Sequence, residues 1–375
     1  MIEGIVPAEI EAEGAAIRAT LDESLPSARA AAEALRAAGT RRIYVIGNGT
    51  SYHSSLAAAT LYRRQAAAGD PTVIALTAGE FRHYAPNLDA RDAVVGISSS
   101  GEFRDVIAVF EELRGRVPTV AVVHVPDSSV ARLTGHVIVS AGGASHVPVM
   151  TKTFASTLTA THLLFGELLG GSAAQATRDR LARAADDVNA AVAAARTRVE
   201  LLAAAIEAAE HIFVVGSGNA AVAALEAALK LKEMALVHAE AAESWEMETG
   251  PATIVGPGTI VIALAPEGAG REATLDSARH AARWGATCIE VGPAISAGAS
   301  GSGTGPSLAG AFHLPLPADT DEDHSPLVAV APVALLAFVL ARRRGHNPDR
   351  PDWIERYHSQ GLRHIMGTDV LAKEG

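Results

Sequence analysis

The sequence predicts an α/β protein of two similar units, each a parallel sheet flanked by helices, followed by a C-terminal tail. Three observations predict it. Short, uniformly apolar runs such as Ile43–Ile46 alternate with helical patterns, as expected of parallel strands covered on both faces. The segment HIFVVGSGNAAVAALEAALKL from His211 then repeats the form of RIYVIGNGTSYHSSLAAATLY from Arg42, at an offset of 211 − 42 = 169 residues. Both read as strand, Gly-x-Gly turn, helix. Finally, 375 residues, 49% hydrophobic and 19% charged, can bury a core large enough for two domains.

Taken in order, residues 1–40 form an N-terminal helical segment, helical from about Pro7 to Ala38 and broken at Pro26. Residues 41–195 form the first unit. Its strands are expected at Arg42–Ile46, Thr72–Leu76, Ala93–Ile97, Thr119–Val123 and His136–Ser140, with helices at about Tyr52–Ala68 and Glu102–Arg114. A long helical stretch, about Ser172–Glu210, leads into the second unit, residues 196–344. After the strand and helix from His211 come strands at Thr259–Ala265, Ala286–Val291 and His313–Leu316. The Gly/Ser-rich run Gly292–Gly310 reads as a surface loop. Leu327–Leu340, 14 apolar residues with Pro332 inside, is too short to cross a bilayer and reads as a buried helix. Residues 345–375 are the tail.

The formal net charge of −11 argues against binding nucleic acid, which needs a basic face. It does not argue against a phosphorylated metabolite, which backbone N–H groups can hold. One cysteine, Cys288, gives neither a disulfide framework nor a thiolate metal cluster. The acidic start, MIEGIVPAEIEAEG, has no apolar core of a signal peptide, so the expected compartment is the cytoplasm, with no membrane association. The turns at Gly47 and Gly216 lack the third glycine of a dinucleotide fingerprint, so no nicotinamide cofactor is expected. The histidines His83, His136, His146 and His238 are scattered, and the acidic run Asp319–His324 reads as a solvated loop rather than a cation site. No cofactor and no metal are expected.

The stretch from Ala223 to Pro251, AALEAALKLKEMALVHAEAAESWEMETGP, carries the chemistry-bearing pattern. Its first part is helical, and Glu226, Lys230 and Glu233 fall at i, i+4 and i+7 on one face. On spacing alone this is either a solvated salt-bridge face or a proton donor–acceptor set with shifted pKa values. Ser98-Ser99-Ser100-Gly101-Glu102 follows a predicted strand and opens a helix, where backbone N–H groups and three hydroxyls can cradle a phosphate. It can equally be a capped turn.

The long stretch closely resembles the active-site segment of the isomerase domains in glutamine-dependent synthases of the SIS (sugar isomerase) family. The resembling pattern is a run like EGALKLKE, a short strand ending in HAEA, then a Glu, two residues and HGP. Here these are Glu226–Glu233, His238–Ala241 and Glu246 leading to Thr249-Gly250-Pro251. The resemblance implies two SIS-type units, a sugar-phosphate substrate and a homodimer with sites shared between subunits. It implies Glu233 as the base that moves a proton between C1 and C2, with Lys230 as its electrostatic partner. It also implies phosphate contacts from the Gly49-Thr50-Ser51 turn, from Ser98, Ser99 and Ser100, and from Thr151.

Several positions depart from the family. Thr249 stands where its ring-opening His would be, Ser99 where it has Gln, Phe103 where it has Thr, and Met150 where it has Ser. In the tail, Arg356 follows Pro351 where the family has a catalytic Lys, and an arginine keeps that charge without its reactivity. His238 or Glu248 could substitute for the missing His, or the substrate could arrive open. The glutaminase of the synthases has no counterpart, so glutamine-dependent amination is not expected. The resemblance therefore implies an isomerase, deaminase or deglycase acting on an amino-sugar or Amadori phosphate. The alternative is a non-catalytic phosphosugar sensor.

Overall fold

The computed structural model describes residues 2–84, 87–293 and 310–356, with backbone alone for 355 and 356. The chain opens with α1 (Ile5–Glu11), α2 (Glu13–Glu23) and α3 (Leu25–Ala37). Then follow β1 (Arg42–Gly47), α4 (Thr50–Gln65), β2 (Thr72–Thr77), α5 (Ala78–Tyr84), β3 (Asp92–Ser98), α6 (Arg104–Leu113), β4 (Thr119–Val123) and β5 (Val137–Val139). Three helices, α7 (Lys152–Leu169), α8 (Gly171–Arg196) and α9 (Val199–Ala205), precede the second sheet. That sheet is built along β6 (His211–Gly216), α10 (Asn219–Ala235), β7 (His238–Glu243), α11 (Ser244–Thr249), β8 (Ile260–Leu264), α12 (Arg271–Arg283), β9 (Thr287–Pro293) and β10 (Phe312–Leu316). The chain closes with α13 (Ser325–Val328), α14 (Val330–Arg343) and α15 (Trp353–Arg356).

Two compact units result. The first comprises Ala15–Arg183 with the described residues from Asp352; the second comprises Met1–Gly14 with Ala184–Pro351. Each holds a five-stranded sheet, ordered β2-β1-β3-β4-β5 in the first and β7-β6-β8-β9-β10 in the second. Every pairing is parallel. The two orders are the same when β6 is matched to β1, so the repeat in the sequence is a repeat in topology.

The strands pair because they are apolar on both faces. Ile43, Val45 and Ile46 are buried in β1, and Ile212, Val214 and Val215 in β6. One core packs Tyr44, Phe81, Val94, Phe110 and Val123; another packs Phe213, Val261, Leu275, Met247 and Cys288. The apolar run near the C-terminus is core as well, with every residue from Val330 to Ala341 buried. Pro332 sits in the first turn of α14, where a missing N–H is tolerated.

The structure departs from the sequence reading in several places. Pro26 initiates α3 rather than only breaking a helix, because its fixed φ suits the first turn. The apolar pattern does not announce α7, which is buried on all sides and rich in threonine. Thr159 and Thr161 donate their hydroxyls to the carbonyls of Ala155 and Thr157, each at 2.8 Å, so these two hydroxyls are satisfied inside the protein. Nor does it announce α12, whose buried face is largely alanine, serine and threonine. The strand of the HAEA motif begins with the motif at His238 and runs to Glu243, instead of ending in it. Of the Gly/Ser-rich loop, Gly292 and Pro293 belong to β9 and residues 294–309 lie outside the described residues.

Candidate functional site

In a sheet of order 2-1-3-4-5 the connections leave β1 and β3 in opposite directions, and a crevice opens between their C-terminal ends. In the first unit the Gly49-Thr50-Ser51 turn and the loop Ser98–Glu102 flank that crevice. Gly49 is the N-cap of α4 with φ 51° and ψ −126°, a conformation a β-carbon would strain. A β-carbon there would meet no described atom within 4 Å, so the backbone faces open space. Thr50 and Ser51 are buried in the first turn of α4. Asn48 ties this turn to α6, donating from Nδ2 to Asp105 Oδ2 at 2.8 Å.

The serine loop is held from several directions. Ser98 Oγ accepts the Gly101 N–H at 3.1 Å, and Ser100 Oγ accepts the Glu102 N–H at 3.3 Å. Ser99 Oγ lies 3.3 Å from Thr157 Oγ1 of α7, and its carbonyl accepts the His124 N–H at 3.0 Å. Glu102 braces the loop from outside, accepting from Ser129 N–H at 2.9 Å and Ser129 Oγ at 2.7 Å. Thr151 is the N-cap of α7, yet its hydroxyl caps nothing and is buried without a hydrogen-bond partner. Ser128 Oγ, packed against Gly101, is likewise buried and unpartnered. Sequence reasoning missed Ser128 and Thr157, because only the fold brings their loops to the serine run. An orphaned buried hydroxyl costs free energy, and a ligand oxygen could satisfy it.

In the second unit, Lys230 on α10 is 1% exposed. Its Nζ lies 3.0 Å from Glu226 Oε1, which is 0% exposed, and 2.7 Å from Glu233 Oε2, whose side chain is 25% exposed. The solvated salt-bridge face is thereby overturned: this face of α10 is interior. Burial works against the ammonium, but Glu226 and Glu233 outweigh it and push the Lys230 pKa up to about 12. Glu13 of α2, buried in the same unit, has its carboxyl raised well above the usual range. Burial is the main cause, with Lys230 opposing it and Glu226 and Glu9 adding to it. Three carboxyl groups, Glu226, Glu233 and Glu13, thus act on one lysine. Glu233 is the one that reaches the surface.

Residues 38–166 and 205–291 match the family model described as SIS domain. The chain belongs to the SIS domain family. It is 32% identical over 346 residues to a glutamine–fructose-6-phosphate aminotransferase (isomerizing) of Methanothermobacter thermautotrophicus, covering 92% of this chain and 55% of that protein. The chain therefore spans little more than half the length of that relative. Among solved structures, the C-terminal domain of glucosamine-fructose-6-phosphate aminotransferase from Francisella tularensis superposes with a TM-score of 0.78 at 23% identity, covering 92% of this chain and 97% of that one. A glucosamine-6-phosphate deaminase from Thermotoga maritima gives a TM-score of 0.66 at 20% identity, covering 88% and 98% respectively. These two superpositions speak for the fold.

Within the second SIS unit the sequence-predicted Thr249 does not gather with Glu233 beside Lys230. Glu233 lies on the last turns of α10, next to the start of β7, whereas Thr249 ends α11, beyond the end of β7. The six residues of β7 span roughly 17–20 Å, so Glu233 and Thr249 sit toward opposite ends of one strand. Thr249 is exposed and donates its hydroxyl to the Glu246 carbonyl at 2.9 Å. His238 is at the N-terminal end of β7, where its Nδ1 lies 3.4 Å from His211 Nδ1. Glu248 Oε1 is 3.2 Å from His280 Nδ1 of α12. Arg356 ends α15, its side chain outside the described residues, as are residues 357–375.

Proposed function

We propose that the chain is a phosphosugar isomerase, deaminase or deglycase, moving a proton between C1 and C2 of an amino-sugar or Amadori phosphate. The observation that carries this reading is the Lys230–Glu233 pair. A partly exposed carboxylate is fixed by a wholly buried ammonium, and a fixed carboxylate with access to solvent is what a positioned base requires. In this reading Glu233 abstracts the proton, and Lys230 holds the carboxylate in place through the transfer.

The first unit's crevice supplies the phosphate anchor in this proposal. Thr50, Ser51, Ser98, Ser99, Ser100 and Thr151 offer hydroxyls, and Gly49 leaves the backbone N–H groups of α4 approachable. The two orphaned hydroxyls, of Thr151 and Ser128, support it. The separation of Glu233 from Thr249 along β7 supports a site completed by a second copy of the chain, a cytoplasmic homodimer in which each chain lends α11 to its partner. Without an imidazole at position 249, a substrate that spends appreciable time in its open form suits the site best.

The test is proton exchange. Candidate amino-sugar and ketosamine 6-phosphates are mixed with the protein in D2O, and the C1 and C2 protons are followed by NMR. Loss of one of these signals, at a rate dependent on the protein, is the expected result. Tight binding of a sugar phosphate with no exchange at either carbon would instead establish the second reading, a non-catalytic phosphosugar sensor.

A further inference from the structure

The repeat places a second switch-point crevice between the ends of β6 and β8, and its contents differ from the first. Register makes the comparison residue by residue. Val45 pairs Val95 in the first sheet, and Val214 pairs Ile262 in the second. Counting on from these pairs, Ser98-Ser99-Ser100-Gly101 corresponds to Ala265-Pro266-Glu267-Gly268, and Arg104 at the start of α6 to Arg271 at the start of α12. Likewise Gly49-Thr50-Ser51 corresponds to Gly218-Asn219-Ala220. Gly218 caps α10 with φ 57° and ψ −129°, within a few degrees of Gly49. The backbone of the crevice is kept. The hydroxyls that line the first one are gone.

A carboxylate stands where the space is open in the first unit. A β-carbon on Gly218 would collide with Glu322 Oε1 and lie 2.9 Å from Glu322 Cδ. One on Gly268 would lie 2.6 Å from Glu322 Cβ. The Gly270 N–H donates to Glu322 Oε2 at 3.1 Å. The backbone around it is anchored to the loop: Glu322 N–H donates to Glu267 O at 2.8 Å, and Glu267 N–H to Thr320 O at 3.0 Å. Asn219 Nδ2 holds the Asp323 carbonyl at 2.9 Å. The acidic run Asp319–His324 is thus not the solvated loop its composition suggests, since Glu322 and His324 are both buried.

We propose that Glu322 is a built-in ligand: the second unit retains an anion crevice and fills it with the chain's own carboxylate, closing it to free phosphate. An acidic group at the N-terminus of α10 complements the positive end of the helix, the same physics that would favour a phosphate there. Glycine at 218 and 268 leaves room for it, and the Gly270 N–H holds it. This inference concerns the second crevice alone and stands whether or not the first binds a sugar phosphate.

The experiment is chemical rescue in the full chain, read as melting temperature at fixed ionic strength. Glu322→Ala should lose several degrees, because the Gly270 N–H is left unpaired. Acetate and inorganic phosphate should each restore the loss saturably, and acetamide should not. Wild type should show no saturable response to acetate. Glu322→Gln, which keeps the shape and removes the negative charge, should also melt lower than wild type. If Glu322→Ala does not fold, Glu322→Gln alone decides. Wild-type stability of the Gln variant, or an Ala variant that neither anion restores, would overturn the proposal and reduce Glu322 to loop packing.

Discussion

The serine-loop crevice of the first unit and the Lys230 cluster of the second handle polarity in opposite ways. The crevice carries hydroxyls and backbone N–H groups and leaves some of them unpaired inside the protein. The cluster carries full charges, of which Lys230 is paired twice and Glu226 is wholly buried. An unpaired buried neutral donor costs about 1–3 kcal/mol, whereas an unpaired buried ion costs about 3–5 kcal/mol. The difference teaches a division of labour: the first region is suited to hold an anion, and the second to hold one carboxylate in a fixed state. The two should therefore respond differently to substitution, one in affinity and the other in rate and stability.

The largest effect is expected at Glu233. Glu233→Gln keeps the side chain's size and its contact with Lys230, and it removes the base. Turnover should fall by about 10² to 10⁴ while the sugar phosphate still binds with nearly wild-type affinity. Steady-state kinetics with an isothermal binding measurement separates the two. A variant keeping more than half of the wild-type rate would take Glu233 out of the chemistry and leave the cluster a structural feature.

Next comes Lys230→Met, which fills the volume but leaves Glu226 in the interior without its cation. Breaking a buried pair from one side costs about 3–5 kcal/mol. Urea unfolding should show that loss at neutral pH. A loss under about 1 kcal/mol, the range of exposed pairs, would mean that water reaches the cluster and that the contrast with the crevice is overdrawn.

Smaller again is the response of the crevice. Ser98→Ala and Ser100→Ala should each weaken sugar-phosphate binding by about 1.5–3 kcal/mol, the worth of a hydrogen bond to a charged group. The unphosphorylated sugar should be affected far less, and the melting temperature should barely move. Equal weakening for both ligands would put the phosphate elsewhere and break the assignment of roles.

How much of this was legible in the sequence depends on whether a feature is local. The apolar runs of β1, β3 and β4 and the repeat at His211 fix the sheets, since alternation and strand burial are written in consecutive residues. The i, i+4, i+7 spacing of Glu226, Lys230 and Glu233 places them on one face. It cannot say whether that face meets water, because the groups that feel its charges include Glu13, more than 200 residues away in the chain. The Ser98–Ser100 loop is legible as a run of hydroxyls between a strand and a helix, yet Ser128, Thr157 and Thr151 show their unpaired or facing hydroxyls only after folding. Glu322 is the extreme case: in sequence it is one acid in an acidic run, and its meaning comes wholly from the three glycines the fold gathers around it.

The smallest effect belongs to Glu13, and it tests how far the charged cluster extends. Burial, reinforced by Glu226 and Glu9 and opposed by Lys230, raises its carboxyl well above the usual 4.5. A carboxyl with a higher pKa folded than unfolded takes up a proton on folding. Its stabilising contribution is complete below pH 4.5 and is lost as pH rises through the raised folded value. Glu13→Gln keeps the size and cannot ionise, so it should escape that loss. The stability of the variant relative to wild type should therefore increase as pH rises from about 5 to about 8, by an amount smaller than the loss in Lys230→Met. Urea unfolding of both proteins at several pH values measures it directly. Parallel curves across that range would mean that Glu13 keeps its charge at no expense. The cluster would then end at Glu226, Lys230 and Glu233, and the contrast between a charged interior and a neutral crevice would rest on α10 alone.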